Sequence, residues 1–249
     1  MMLNTLHYYS HSLGMNTTVN ILLPQENYGA NYGFNGSQFR TLYLLHGLSD
    51  DESIWLRRTS VERYAERYGL CVVMPRGDRS FYCDVPYGSA YFRFISEELP
   101  EVIGNTFNVS RRREDNFAAG LSMGGYGALK LALRLPERYA FAGAMSAVTD
   151  FKARVKDVLN GFYPEEYIIP PEDDLLALAE KTALLAEKPE IFIGCGTEDV
   201  LLPDSRNFCQ KLKELGYTVT YRESAGNHSW EFWDEYIQYI LESINGFKA

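Results

Sequence analysis

A chain of 249 residues, 46% hydrophobic and 23% charged, is long enough to bury most of its surface as a globular α/β domain. Its formal net charge of −9 argues against a phosphate-neutralising nucleic-acid surface, and it disfavours anionic membranes and highly acidic substrates. The start lacks a basic segment followed by an apolar one, no apolar run is long enough to span a bilayer, and the four cysteines show neither C-x-x-C nor metal-ligand spacing, so the expectation is a cytoplasmic protein with reduced thiols.

In chain order, "TTVNILLP" (Thr17 to Pro24) reads as the first strand, followed by a turn-rich Asn/Gly loop from Gln25 to Gln38. "FRTLYLLHG" is a strand ending in a glycine turn at Gly47. Val61, Tyr64, Ala65 and Tyr68 then recur at helical spacing until Gly69 stops them. "LCVVMPRG" is a short buried strand. "SAYFRFISEELPEVIGNTF" predicts a helix interrupted at Pro100. The basic run Arg111 to Arg113 is answered at once by Glu114 and Asp115 and reads as a solvated turn. "NFAAGLS" is a strand of small residues, and "GALKLALRLP" a helix that ends before Pro136. "AFAGAMSA", "EIFIGCG" and "YTVTYRES" supply three more strands. A helix through Phe208, Leu212 and Leu215 ends at Gly216, and a last helix carries Trp233, Ile237, Ile240, Leu241 and Ile244 on one face.

Apolar strands alternating with helices predict an α/β fold with a mainly parallel sheet covered on both faces. The expected organisation is a single domain over residues 1–249. Residues 150–188 are too long for a plain connection. They read either as a lid-like insertion, with Phe162, Tyr163 and Tyr167 facing a pocket, or as a surface excursion packed on the body. Ligands of such sheets gather at the carboxyl ends of the strands, where Gly47, Ser122, the Gly196–Asp199 turn and the Gly226–His228 loop all fall.

"GLSMG" around Ser122 matches G-x-S-x-G, and its place between a small-residue strand and a helix makes Ser122 a candidate nucleophile. Gly120 and Gly124 remove side chains that would collide at so sharp a turn. A base must follow the nucleophile in this chain order, and of the four histidines (His7, His11, His46 and His228) only His228 does. Glu198, Asp199 and Asp204 compete for the acid. Asp199 is favoured because it sits in the turn after a strand, Asp204 reads as a first-turn helix acid, and Glu198 is the nearest competitor. The backbone N–H groups of Met123 and Leu48 are the candidate oxyanion donors, with His46 anchoring the loop that carries Leu48. Trp55, Phe162 and Trp230 are candidates for substrate contact.

Together "LLHGLSDDESIW", "MPRGDRSFYCD", "GLSMGGYGALKLAL", "GCGTEDVLL" and "GNHSWEFWD" resemble the esterase D family, in particular its bacterial tributyrin/acetyl esterase branch, which includes feruloyl esterases. The resemblance runs from about Leu23 to the last helix. It implies an α/β-hydrolase fold, a metal-independent Ser-Asp-His mechanism without a cofactor, and short acyl esters as small-molecule substrates. An S-formylglutathione thioesterase would use the same residues, and a non-catalytic ligand-binding homologue would be expected to have lost some of them. Neither a nucleic-acid nor a membrane partner is expected, and self-association into a homo-oligomer is left open. A nucleotide site is disfavoured, since neither the P-loop nor the G-x-G-x-x-G pattern occurs.

Overall fold

Runs apolar at every position become the central strands, because a strand buried on both faces has no polar side to show. In the computed structural model, which describes residues 1–25, 38–84, 88–158 and 169–247, eight strands form one sheet. They are β1 (Met2–Ser10), β2 (Met15–Leu23), β3 (Arg40–Leu45), β4 (Leu70–Pro75), β5 (Asn116–Leu121), β6 (Phe141–Met145), β7 (Glu190–Gly196) and β8 (Val219–Ser224). Their order is β1-β2-β4-β3-β5-β6-β7-β8. The β1–β2 and β2–β4 pairs are antiparallel, and every pair from β4 to β8 is parallel.

The helices are α1 (Ile54–Arg58), α2 (Val61–Glu66), α3 (Tyr91–Arg93), α4 (Leu99–Thr106), α5 (Met123–Arg134), α6 (Phe151–Val158), α7 (Leu175–Ala183), α8 (Leu202–Glu214) and α9 (Trp230–Asn245). Alternation along the strands divides the interior into two cores. Tyr43 and Leu45 of β3, Val73 of β4 and Ile191 and Ile193 of β7 pack beneath α4, α5, α7 and α8. Their neighbours Leu42, Leu44, Val72 and Phe192 pack beneath α1, α2 and α9. On α9, Ile237, Ile240, Leu241 and Ile244 are fully buried, each stabilising the fold by about 1.5–3 kcal/mol.

This topology decides where a site can form. From β3 the chain turns to β4 on one side, then returns to place β5 on the other. The helices that follow β3 cover one face and the helix that follows β5 covers the opposite one, which opens a crevice at the carboxyl ends of β3 and β5.

Two expectations are corrected. The strand at Thr17–Pro24 is not the first: Met2–Ser10 precedes it and pairs with it along its whole length. Exposure alternates along the edge strand β1, but each of its faces carries both polar and apolar residues, so its sequence shows no apolar–polar alternation. The helix around Pro100 is not interrupted. Proline falls in the first turn of α4, after a π-helical segment at Phe94–Glu98. A proline amide has no hydrogen to give the carbonyl four residues back, and that carbonyl, Ser96 O, accepts the guanidinium of Arg138 instead.

Among the described residues, no helix is long and apolar enough to cross a membrane. The proposed lid residues Phe162, Tyr163 and Tyr167 lie outside the described residues, as does most of the Asn/Gly-rich loop. At the flanks of the 150–188 segment, α6 and α7 are both helical.

Candidate active site

Ser122 links β5 to α5 with no intervening loop and has φ 51° and ψ −116°. A side chain at such a backbone angle is strained by about 1–3 kcal/mol unless its surroundings hold it. The surroundings do so. Its N–H donates to Met145 O at 2.8 Å, and its carbonyl accepts Tyr126 N–H at 3.1 Å to start the helix. A Cβ on Gly120 would lie 2.4 Å from the Gly124 carbonyl, and one on Gly124 would lie 2.3 Å from Leu45 O. The two glycines therefore let α5 press against the ends of β3 and β5, leaving the serine half-buried at the crevice.

Asp199 closes a turn at the end of β7, its N–H donating to Gly196 O at 3.1 Å. The carboxylate is buried. Oδ1 accepts Leu201 N–H at 2.9 Å, and Oδ2 lies 2.9 Å from His228 Nδ1. Burial opposes its charge, but the hydrogen bonds from His228 and from the Leu201 amide, with the nearby Ser146 hydroxyl, outweigh that and hold the carboxyl below its ordinary range. His228 rides on the loop after β8, which is fastened to the acid's turn. Glu198 N–H donates to Gly226 O at 2.9 Å, and Gly226 N–H donates to the Glu198 carboxylate. Glu198 thus holds the loop rather than the imidazole, and Asp204 pairs with Arg154 at 3.0 Å in the first turn of α8.

Ser122 and His228 border one cleft of about 520 Å³, together with Gly47, Leu48, Leu121 and Trp230. Among the described residues, the one hydrogen bond of the His228 ring is to Asp199. Contacts between a hydroxyl and its base are often long until substrate is bound. On the β3 side, Leu48 lies half-buried in the Gly47–Asp50 turn. Met123 is the first residue of α5, so its N–H is among the first-turn donors that have no partner within the helix.

His46 is buried beneath that turn. Nδ1 donates to Gly47 O at 2.7 Å and Nε2 accepts Gly77 N–H at 2.8 Å, an arrangement that requires the neutral ring. Burial pushes its pKa down accordingly. In a trans peptide the carbonyl and the following N–H point opposite ways, so clamping Gly47 O also fixes the direction of Leu48 N–H.

Trp55, Trp230 and Trp233 are the chain's three tryptophans. Trp230 borders the cleft, whereas Trp55 is buried behind it, with its indole N–H on Leu45 O at 3.2 Å. The three rings form a ladder of perpendicular contacts, 5.2 Å from Trp55 to Trp230 and 5.2 Å from Trp230 to Trp233, and Trp233 meets the His228 ring at 4.9 Å. Sequence reasoning missed Asp50, Arg58 and Glu231, which border the cleft, and gave Trp233 only a core position. It also missed Ser146, which sits behind the cleft. The signals available were slight: Trp233 lies one helical turn after Trp230, and Ser146, like Ser122, ends an apolar strand. Among the described residues, no three His, Cys, Asp or Glu side chains group as metal ligands.

The family model described as "Putative esterase" matches residues 10–243. The chain belongs to this esterase family. An acetyl esterase of Caldicellulosiruptor saccharolyticus is 32% identical to this esterase over 256 residues, covering 95% of the chain and 96% of that protein. Two solved structures from Staphylococcus aureus are similar over 98% of both chains: the fluorophosphonate-binding serine hydrolase FphF, with TM-score 0.88 and 30% identity, and the S-formylglutathione hydrolase FrmB, with TM-score 0.83 and 31% identity. The esterase is a serine hydrolase with the α/β-hydrolase fold, as the resemblance to the esterase D family implied.

Proposed function

We propose that this protein is a carboxylesterase that cleaves short-chain acyl esters through an acyl-enzyme, with Ser122 as nucleophile, His228 as base and Asp199 as the orienting acid. The observation that carries the reading is the cleft in which a strained serine meets an imidazole whose other nitrogen is taken by a buried carboxylate. Because Nδ1 faces Asp199, Nε2 is left to receive the Ser122 proton as Oγ attacks the ester carbonyl carbon. The oxyanion formed is held by Met123 N–H, aided by the N-terminal dipole of α5, and by Leu48 N–H, aimed by the His46 clamp. Collapse expels the alcohol, which takes the proton from Nε2. Water, deprotonated at the same nitrogen, then attacks the acyl-serine and releases the acid.

Similarity to an acetyl esterase supports a short acyl group. Similarity to a hydrolase of S-formylglutathione supports a second reading, a thioester substrate, for which the same steps serve. Two measurements test the proposal: fluorophosphonate labelling followed by mapping of the modified residue, and hydrolysis rates across acetyl, butyryl, longer-acyl, feruloyl and S-formyl substrates. Label on Ser122 and fastest turnover of the acetyl or butyryl ester are expected. Ser122→Ala should lower kcat by about 10⁶. Label on another residue, or an active Ser122→Ala protein, would remove Ser122 from the mechanism.

A further inference from the structure

Ser146 stands between the strands that carry the two halves of this site. The residue before it, Met145, accepts the Ser122 N–H, while its own N–H donates to Gly194 O of β7 at 2.8 Å, five residues ahead of Asp199. It is fully buried and has φ 46°, an uncommon angle for a residue other than glycine. Strain of this kind collects where surrounding structure has a use for it. Trp233 Nε1–H donates to Ser146 Oγ at 3.1 Å. The Ser146 hydroxyl thus anchors the indole at its N–H. The same indole lies perpendicular to the His228 ring at 4.9 Å. Trp233 therefore joins Ser146, through its N–H, to the base, through its ring.

We propose that Ser146 and Trp233 are positioning residues for the hydrolase reaction: the Ser146 hydroxyl anchors the Trp233 indole, which backs the His228 ring, so that the imidazole is held in line with Asp199 and Ser122. The inference rests on the assignment of Ser122, His228 and Asp199 made above.

The test is steady-state kinetics on one short-chain ester with Trp233→Phe, Ser146→Gly and the double variant, well below the melting temperature of each. Ser122→Ala and Asp199→Asn are measured beside them. Glycine takes a positive φ freely, so Ser146→Gly removes the hydroxyl without adding strain. Phenylalanine keeps a ring against His228 but has no N–H to donate, and it keeps the test open should Ser146→Gly fail to fold.

Each single variant is expected to lose about fivefold in kcat, the scale of one neutral buried hydrogen bond, with KM within about twofold. The double variant should be no slower than the slower single, because both substitutions break one relay. With Ser122→Ala inactive, wild-type kcat in both singles overturns the inference, as do losses that multiply in the double variant. An active Ser122→Ala protein overturns instead the assignment beneath it.

Discussion

Asp199 and Glu198 are neighbours that face opposite tasks: Asp199 Oδ2 lies 2.9 Å from His228 Nδ1, while the Glu198 carboxylate accepts the amide of Gly226. One holds the ring and the other holds the loop beneath it. Asp199→Asn is expected to lower kcat by about 10⁴, because the imidazole loses both its partner and its tautomer preference. Glu198→Gln retains an oxygen for the Gly226 N–H and should stay within a few-fold of wild type. Measured kcat for the two variants on one ester separates the roles, and a reversed ranking would move the acid to Glu198.

The approach of α5 to β3 leaves no room at Gly124. With a Cβ 2.3 Å from Leu45 O, a backbone atom that no rotamer change can move, Gly124→Ala forces the helix start away from the strand. Overpacking of this kind costs about 1–3 kcal/mol, which for a chain of this size lowers Tm by roughly 2–12 °C. Because Met123 N–H moves with the helix start, kcat should fall as well. Calorimetry and turnover on the purified variant check both, and a Tm equal to wild type would show that the close approach is dispensable.

His46 adds a pH dependence to stability. Burial lowers its pKa below 6.5, against smaller upward pulls from the Gly47 carbonyl, Asp51 and Asp78. As pH falls below about 6.5 the unfolded chain takes up a proton here while the folded protein does not, so stability falls with pH until the depressed folded value is reached. Above about 6.5 this histidine contributes no slope. His46→Gln is expected to melt lower at neutral pH and to lose less Tm on acidification from about pH 7 to about pH 5. Parallel Tm–pH curves for the two proteins would assign the acid sensitivity elsewhere.

Lys130 is fully buried on α5, where its ammonium contacts the Asp173 carboxylate and donates to Tyr82 O at 3.1 Å. Removing the ammonium leaves the buried Asp173 carboxylate only the more distant Arg134, at 4.0 Å, so Lys130→Met should cost about 3 kcal/mol. Lys130→Met combined with Asp173→Leu should recover much of that loss, since an apolar pair of similar volume needs no desolvation. Chemical denaturation of the single and double variants measures both numbers. A double variant weaker than Lys130→Met would show that the pair itself supplies net stability.

How much of this was legible beforehand depends on the distance over which each signal acts. "LCVVMP" and "EIFIGC" announce buried strands because burial on both faces leaves its mark within six residues. The glycines around Ser122 announce a tight junction because the steric conflict is local. Chain order then singles out His228, and a place in the turn after a strand favours Asp199 over Glu198 and Asp204; the fold brings His228 and Asp199 within 2.9 Å of each other. Strand β1 was missed because an edge strand with mixed faces carries no periodic contrast. Ser146 was missed for a different reason. Its neighbours Trp233 and Asp199 lie 87 and 53 positions away along the chain, and only the β5-β6-β7 order places them around it. Arg58 and Glu231 likewise reach one cleft from α1 and α9, two helices that pattern reading treats separately.

The tryptophan ladder gives the protein a spectroscopic property of its own. Every indole in the chain lies on that ladder, which runs from the Leu45 carbonyl beside the Gly47–Asp50 turn to the His228 ring. Selectively excited indole emission therefore originates entirely at the site and carries no background from the rest of the fold. Acylation of Ser122, as proposed above, would put an acyl group beside Trp230. The unlabelled wild-type protein would thus be its own optical probe for the rise and decay of that acyl-enzyme in a stopped-flow trace.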